Sequence, residues 1–161
     1  MWQRRYMEIS LLAEHRQYAS EIASWYFDEW ASKVPNVTIK MVQKDIDLKA
    51  KNTKFPFSLV AHENGKLIGT LELKIRENKK HPEYEHWIGG VYVSAPRRGS
   101  GIAKTLINRA KEITIDNGVT SLYLQCESHN VDLYVGQGFR PIHQSSSNNV
   151  ETTIMVWRTA T

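Results

Sequence analysis

Apolar residues near the start of the chain recur at the spacing of an amphipathic helix. Between Glu14 and Trp30 they stand at offsets of four, seven and eight: Tyr18, Ile22, Trp25, Tyr26 and Trp30. Residues at these offsets share one helical face, so the segment predicts a helix with one buried side. A short strand over Arg5–Ile9 is predicted before it. Pro35 separates it from a second short helix over Ile39–Ile46.

In the middle of the chain the pattern changes to that of strands. The apolar run Pro56–Glu63 is followed by Asn64-Gly65, a dipeptide typical of a two-residue hairpin turn. The next run alternates apolar and polar residues, which predicts a strand with one face toward a core. That face carries Leu67, Gly69, Leu71, Leu73 and Ile75. A charged loop, Glu77–Glu85, then leads into the apolar strand His86–Val93.

The second half of the chain alternates helices and strands. A helix opens within Arg98–Ala103 and runs to about Asn117, where Gly118 caps it. A strand, a short helix and two closing strands follow: Ser121–Glu127, Val131–Gln137, Phe139–His143 and Glu151–Trp157. The strand–helix–strand unit is expected to be parallel, and the earlier hairpin antiparallel. We therefore expect an α/β (α+β) fold, one domain over residues 1–161, with a mixed, mostly antiparallel sheet flanked by helices.

Composition and charge narrow the function classes. The 161 residues are 41% hydrophobic and 24% charged, as in an ordinary globular domain. The single cysteine, Cys126, forms no internal disulfide, and no run approaches the ~20 apolar residues of a membrane span. With a start too polar for a signal peptide, we expect a cytoplasmic protein without a membrane partner. A net charge of +4 is too small for a typical nucleic-acid binder, and the six histidines lack metal-ligand spacing.

The segment Val91–Leu106, VYVSAPRRGSGIAKTL, has the composition of a binding site. An apolar strand runs into a turn with Gly99 and Gly101, and a helix follows. The glycines let a ligand approach the backbone, and the start of the helix adds partial positive charge. Basic side chains supply full charges: Arg97, Arg98 and Lys104. The arrangement predicts a cradle for a pyrophosphate; the alternative is a tight turn with solvated arginines.

Two common nucleotide-binding motifs do not fit this segment. A Walker-A loop requires Gly-x-x-x-x-Gly-Lys-Ser/Thr, but Gly99 to Lys104 is one residue short, and no glycine precedes the lysine. A dinucleotide fingerprint requires a third glycine where Lys104 stands and an acidic residue at the end of the next strand. Asp116 instead lies inside the predicted helix, so both motifs are excluded.

Six residues, Arg98-Gly99-Ser100-Gly101-Ile102-Ala103, match the pattern Arg/Gln-x-x-Gly-x-Gly/Ala. This is the acyl-coenzyme A loop of GNAT-type N-acetyltransferases, and the chain resembles that family over roughly Phe57 to Ile142. A second signature, Tyr134-Val135-Gly136-Gln137-Gly138-Phe139, is similar to the family's Tyr-x-x-x-Gly-Phe. The resemblance implies an acyl-CoA N-acyltransferase fold with a splayed parallel strand pair, acetyl-CoA as acyl donor and no metal.

The resemblance also implies the cofactor contacts. A bulge would part the fourth strand from the fifth, so that the backbone of Val91, Tyr92 and Val93 pairs with the pantetheine arm. The Val93 N–H would hold the thioester oxygen as charge develops. The pyrophosphate would lie on the loop and first helical turn: Arg98, Gly99, Ser100, Gly101, Ile102, Ala103 and Lys104. Asn130 is a further expected contact, although it stands closer to Tyr134 than in the family.

For catalysis, the resemblance places Tyr134 as the proton donor to the departing thiolate. The general base is left open, because some members of the family carry a glutamate on the fifth strand where this sequence has Gln125, and an amide does not accept a proton usefully. We expect Glu85 first, then Glu72 and Glu127, with a water chain as the alternative. By alternation, Glu127 shares the strand face of Gln125, and Glu72 lies opposite the leucine face of its own strand.

The predicted function is acetyl-CoA-dependent acetylation of a primary amine by direct attack on the thioester. Two alternatives stay open: a peptide or protein amine as acceptor, and a non-catalytic acyl-CoA-binding module on the same fold. The partner is then a small-molecule or peptide amine, and the chain a monomer or homodimer. Acidic and aromatic residues in the less matched segments suit a cationic amine: Trp25, Asp28, Glu29, Trp30, Glu83, Tyr84 and Glu85.

Overall fold

A seven-stranded mixed sheet forms the centre of the protein, in the order β1-β2-β3-β4-β5-β7-β6. The computed structural model describes residues 6–147 and 149–159. The strands are β1 (Glu8–Leu11), β2 (Phe57–Glu63), β3 (Lys66–Ile75), β4 (His86–Val93), β5 (Ser121–Cys126), β6 (Arg140–Ser147) and β7 (Val150–Arg158). Neighbouring strands are antiparallel except β4 and β5, which are parallel. The predicted fold class is confirmed.

Helices cover both faces of the sheet. They are α1 (Ala19–Glu29), α2 (Ile39–Lys49), α3 (Ile102–Asp116) and α4 (Val131–Val135). α3 buries Leu106 and Ala110 in the larger core cluster, whereas α1 buries Ile22 and Tyr26 in a second cluster on the opposite side. We call these sides the α3 face and the α1–α2 face. No helix in the described part of the chain is long and apolar enough to cross a membrane.

The first elements are present with shifted ends. α1 begins five residues later than predicted, because two 3₁₀ turns, Leu12–Glu14 and Arg16–Tyr18, precede it. The first strand is Glu8–Leu11 rather than Arg5–Ile9, and Arg5 itself lies outside the described residues. The predicted aromatic stripe is nevertheless a buried face, since Tyr18, Ile22 and Tyr26 are each less than a tenth exposed.

Element ends in the second half also differ from the prediction. α3 begins at Ile102, so Arg98 belongs to the loop before it. β5 ends at Cys126, which leaves Glu127 outside the strand. β6 and β7 continue into the polar tip that was predicted as a turn, because serines there pair across the hairpin, as Ser145 does with Thr152.

A bulge in β3 overturns the predicted face of Leu67. Ala61 of β2 pairs with Gly69 and His62 pairs with Leu67, which leaves Ile68 as an extra residue between them. An extra residue resets the alternation of side chains along a strand. Leu67 therefore packs in the α1–α2 cluster, whereas Ile68 and the leucines further along β3 pack on the α3 face.

A second bulge lies in β4. Thr70 of β3 pairs with Tyr92, but Glu72 pairs with Gly89, so β4 carries one residue more than β3 at this point. Gly90 stands inside the bulge with φ of 56°, in the left-handed region that side chains disfavour. The bulge that the family resemblance implied is therefore present, and a glycine provides its conformation.

Beyond a single pair, β4 and β5 part from one another. Trp87 and Tyr123 are the registered residues of this parallel ladder within the described ranges. The edge of β4 that follows, Ile88–Val93, thus faces β5 without a ladder partner. We call this opening the β4–β5 gap, and it is the splayed parallel pair that the resemblance implied.

We expect Gly90→Ala to destabilise the protein more than Gly65→Ala. Both glycines have positive φ, 56° and 74°, so both variants force a side chain into the left-handed region. A Cβ on Gly90 would stand 2.6 Å from the Tyr26 hydroxyl oxygen, whereas no atom lies within 4 Å of a Cβ on Gly65. The free energy of unfolding should fall by about 1 kcal/mol for Gly65→Ala and about 3 kcal/mol for Gly90→Ala. Urea denaturation measures both, and equal losses would mean that the bulge yields to the methyl group.

Candidate functional site

The open edge of β4 presents backbone hydrogen-bonding groups to the β4–β5 gap. The Ser94 N–H donates to the Ile68 carbonyl of β3 at 2.9 Å. Because backbone groups alternate in direction along a strand, those of Tyr92 also face β3, while those of Val91 and Val93 face the gap. The structure therefore directs two of the three predicted backbone contacts into the gap, and it keeps the backbone of Tyr92 in the β3 ladder.

Arg98 lies beside this edge and connects the loop to it. Its Nε donates to the Val93 carbonyl at 3.0 Å, and its guanidinium stands 5.2 Å from the centre of the Tyr92 ring. That ring stacks on Trp25 of α1, with centroids 4.8 Å apart. A ligand amide that pairs with the Val93 carbonyl therefore competes with Arg98 for it.

The loop before α3 has the geometry of an anion cradle. Gly99 and Gly101 have φ of 81° and 85°. Apart from the glycine itself and its chain neighbours, no atom of the described residues lies within 4 Å of a Cβ placed on either. α3 begins with no acidic residue in its first turn and no side-chain cap. The first N–H groups of a helix have no partner within it and carry the positive end of its dipole. Lys104 adds a full charge in the same turn, so the open space above the glycines suits an anion.

Arg97 stabilises the turn before the cradle rather than adding free charge to it. Its Nη1 donates to Glu63 Oε2 at 2.8 Å, and the Glu63 side chain is only 8% exposed. The Ser100 hydroxyl donates to the Arg97 carbonyl across the same turn. Arg97 is therefore neutralised by an acid at the end of β2, and Glu63 is a residue of the site that the sequence did not single out.

On the α1–α2 face, polar groups gather at the β4 bulge. The Tyr26 hydroxyl donates to the Gly90 carbonyl at 2.7 Å. Burial first, and the charge of Glu72 second, raise the pKa of Tyr26, so the hydroxyl keeps its proton. Because the peptide between Gly90 and Val91 is trans, the Val91 N–H points away from Tyr26. The sequence indicated Tyr26 only as a core residue, because its place in the apolar stripe of the helix is explained by burial alone.

Glu72 is the buried member of the three predicted carboxylates. It is 8% exposed, and its Oε1 lies 3.1 Å from the Cβ position of Gly90. The Glu85 side chain is 49% exposed and 3.7 Å from Arg76. Glu85 also precedes Gly90 by five residues, or about 16 Å of extended strand. Burial and proximity therefore distinguish Glu72 from Glu85.

The placement of Glu127 corrects one step of the sequence interpretation. Since β5 ends at Cys126, Glu127 does not continue the strand face of Gln125. Its side chain is 54% exposed and lies 3.6 Å from His129. Among the residues that the structure describes, no group of three or more His, Cys, Asp or Glu side chains is arranged to hold a metal ion.

Tyr134 lies on α4, which follows β5, and packs against the α3-face core. Its ring meets Phe139 edge to face, with centroids 6.2 Å apart. Burial, with a smaller contribution from Cys126, raises the pKa of Tyr134 to about 12. Its hydroxyl is therefore a donor throughout the neutral range. Asn130 is half-buried and ends the 3₁₀ turn that leads into α4.

The chain is similar to a known protein family and to several solved structures. The profile of the Acetyltransferase (GNAT) family matches residues 19–139. An aminoglycoside 6'-N-acetyltransferase complexed with coenzyme A has a TM-score of 0.74 at 11% identity, over 94% of this chain and 96% of its own. A spermidine N-acetyltransferase chimera of Vibrio cholerae SpeG and hSSAT has a TM-score of 0.67 at 19% identity, over 94% and 95%. The protein yncA from Salmonella typhimurium, with its cofactor acetyl-CoA, has a TM-score of 0.70 at 18% identity, over 94% and 93%.

These comparisons differ in what they establish. A comparison with curated proteins finds no match. At identities of 11 to 19%, likeness to solved structures establishes the fold, which is that of the acyl-CoA N-acyltransferases. The family profile covers both the predicted loop and most of the chain, from α1 to the residue before β6. The chain therefore belongs to the GNAT family of acetyltransferases.

Proposed function

We propose that this protein transfers the acetyl group of acetyl-CoA to a primary amine by direct attack of the amine on the thioester. The observation that carries the proposal is one continuous path, in which the β4–β5 gap runs from the bulge to the cradle at the start of α3. A pyrophosphate suits the cradle, and an arm containing amides suits an unpaired strand edge. Relatives named with coenzyme A and acetyl-CoA support this choice of donor.

The residues along this path suit acetyl-CoA. The open space above the cradle admits a diphosphate against the first N–H groups of α3. The proposed phosphate contacts are Arg98, Gly99, Ser100, Gly101, Ile102, Ala103 and Lys104. Val91 and Val93 offer the strand edge, and Asn130 is a proposed contact from the start of α4. When bound, acetyl-CoA supplies the acetyl group as an activated thioester.

The N–H of Val91 is the oxyanion donor that we propose, in place of that of Val93. The Val93 carbonyl accepts a hydrogen bond from Arg98 at the cradle end of the strand. Val91 instead follows Gly90 of the bulge, and Glu72 lies beside Gly90. The Tyr26 hydroxyl fixes the Gly90–Val91 peptide from the other side and polarises it. An N–H held in this way stabilises the negative charge that develops on the carbonyl oxygen.

Tyr134 is proposed to donate a hydrogen bond to the departing sulfur. Its pKa of about 12 exceeds the pKa of a thiol, about 8.5, by roughly 3.5 units. Complete proton transfer to the thiolate is therefore uphill. The hydroxyl stabilises the sulfur while the carbon–sulfur bond breaks, and solvent completes the protonation.

A non-catalytic acyl-CoA-binding module is the second candidate. Gln125 favours it, because the family resemblance implies a glutamate at this position in some members and an amide stands there instead. The Gln125 Oε1 accepts a hydrogen bond from Asn78 Nδ2 at 3.0 Å. Release of free thiol from acetyl-CoA, measured over small amines and peptides, separates the candidates. Turnover with small amines supports the proposed function, and turnover with peptides alone makes a peptide or protein the acceptor. Binding of CoA without turnover supports the module.

We expect Gly101→Asp to weaken CoA binding at least about tenfold. A carboxylate at the start of the helix would occupy the space of the pyrophosphate and repel its negative charge. The matched control is Gly118→Asp. Gly118 follows the other end of α3, has φ of 71° and likewise has no atom within 4 Å of an added Cβ. Isothermal calorimetry with CoA measures both affinities. Equal affinity in the two variants would remove the cradle from the binding site.

We expect Tyr26→Phe to lower kcat roughly tenfold while the affinity for CoA stays unchanged. The variant keeps the ring but frees the Gly90–Val91 peptide, so the oxyanion donor is less well aligned. Tyr18→Phe is the control, because Tyr18 is buried in the same cluster and its hydroxyl has no hydrogen bond to any residue within 6–147 and 149–159. Steady-state kinetics gives both values. The same loss in both variants would indicate general destabilisation rather than a role for this peptide.

We expect Tyr134→Phe to lower kcat roughly tenfold to a hundredfold, with little change in CoA affinity. The defect should shrink with acetyl thioesters of more acidic thiols, because these thiolates need less stabilisation. In the unmodified enzyme, Tyr134 should cause no loss of activity between about pH 8 and about pH 10, since its raised pKa, about 12, keeps it protonated there. A defect that is the same for good and poor leaving groups would make Tyr134 a positioning residue instead.

A further inference from the structure

Glu72 is a largely buried carboxylate to which the described part of the chain offers no hydrogen bond. It is 8% exposed, and its nearest cation, Lys49 Nζ, stands 4.0 Å away. Over residues 6–147 and 149–159 the structure pairs neither oxygen with a hydrogen-bond donor. Burying an unpaired carboxylate is costly, so folded proteins normally pair such a group. The position of Glu72 therefore points to a cation that comes from outside the protein.

The cations around Glu72 are already occupied. Lys49 Nζ lies 3.0 Å from Asp45, and Lys74 Nζ lies 2.7 Å from Glu77. Burial opposes the charge of Lys74, but the charges of Glu72 and Glu77 outweigh it and raise its pKa. The group thus holds three acids and two bases, and the acid without a close partner is Glu72. A third cation suits this group, whereas an added carboxylate meets no cation without an acidic partner among the residues that the structure describes.

Two consecutive glycines give Glu72 access to the reaction path. A Cβ on Gly89 would stand 2.8 Å from Lys74 Cδ, and one on Gly90 would stand 3.1 Å from Glu72 Oε1. Because Gly89 and Gly90 have no side chains, the side chains of Lys74 and Glu72 pack directly over the backbone of β4. Glu72 is therefore on the α1–α2 face of the bulge, on the side of the sheet opposite α3.

An aromatic surface borders the same place. Tyr26 and Trp30 have ring centroids 5.5 Å apart, and Trp30 meets the Tyr92 ring edge-on at 6.2 Å. Trp30 is 44% exposed, so part of its ring remains available for contact. Aromatic rings attract cations and pack against apolar groups. A ligand with an ammonium group at Glu72 can therefore place an apolar body against Trp30.

We propose that Glu72 binds the ammonium group of the acceptor, and that the acceptors are primary amines with an apolar or aromatic body and no carboxylate beside the amine. The proposal rests on the proposed function and specifies its acceptor. In the reaction, the ammonium loses one proton to Glu72, which passes it to water. The amine nitrogen then bonds to the acetyl carbon as the carbon–sulfur bond breaks, and its second proton goes to solvent while the thiolate takes one up. The net products are the amide, free thiol and one released proton.

The acceptor class is tested with pairs of molecules that differ only in the carboxylate. Phenethylamine with phenylalanine, and tryptamine with tryptophan, are two such pairs. We expect kcat/KM to be roughly a hundredfold higher for each amine, because a carboxylate next to Glu72 and Glu77 is repelled. Equal rates within the pairs would overturn the proposed class while leaving the acetyltransferase function intact.

The role of Glu72 is tested with Glu72→Gln, which keeps the shape and removes the charge. We expect kcat/KM for phenethylamine to fall roughly thirtyfold or more, with CoA affinity unchanged. The melting temperature should change little, because the lost attraction to Lys74 and Lys49 is offset by relief from burying a charge. A purely structural role of Glu72 predicts a lower melting temperature and an unchanged kcat/KM for phenethylamine. Glu112→Gln on α3 is the control, since that side chain is 63% exposed and pairs with Arg109.

A direct binding measurement keeps the two proposals separable. Phenethylamine should quench the tryptophan fluorescence of the native protein and do so weakly in Glu72→Gln, whether or not acetyl-CoA is turned over. Equal quenching in both proteins would overturn the role of Glu72. If Glu85→Gln or Glu127→Gln causes the loss of activity instead, the carboxylate is assigned to the wrong residue. Binding of amine and CoA without any release of thiol would overturn the proposed function but retain the Glu72 site.

Discussion

The hydrogen bond from Tyr26 to the Gly90 carbonyl is the contact on which the geometry of the site depends. It ties α1 to the middle of β4 at the point where β4 carries an extra residue. Without it the half-buried Gly90 carbonyl would lose its hydrogen bond, which costs about 1 kcal/mol. Because Gly90 has a positive φ and no room for a side chain, the bulge, the hydroxyl and the glycine require one another. The bulge lies within the stretch of β4, Ile88–Val93, that has no ladder partner on β5.

Strand β4 combines two kinds of recognition, one through backbone groups and one through side chains. Toward the gap, β4 offers backbone groups of Val91 and Val93, and the start of α3 offers further N–H groups. This side suits a ligand that every member of a family shares, because backbone groups do not depend on side-chain identity. On the α1–α2 face, the neighbours of the bulge are side chains, among them Glu72 and Trp30. The proposed acceptor site is therefore the part of the chemistry that a change of sequence can alter.

The sequence predicted the order of elements well, because long apolar runs bounded by turn residues show their type directly. The strand His86–Val93 is present with the predicted ends. It did not predict the bulges, since one added residue, Ile68 in β3, reverses the face of Leu67 without changing composition or spacing. Nor did it distinguish the candidate carboxylates. Glu72 and Glu85 are both glutamates in or beside a predicted strand, and the sequence does not show which is buried. Their difference in burial arises only when α1 and α2 pack over β3.

Arg98 shows how the cradle and the strand edge depend on one another. Its Nε holds the Val93 carbonyl, and its guanidinium lies over Tyr92, which stacks on Trp25 of α1. A pyrophosphate in the cradle attracts the same guanidinium with a full negative charge, whereas the Val93 carbonyl offers it only a dipole. An anion there therefore draws Arg98 away from the carbonyl that the rest of the ligand needs. In this way one arginine contacts both the strand edge beside the cradle and, through Tyr92, the aromatic surface beside the proposed acceptor site.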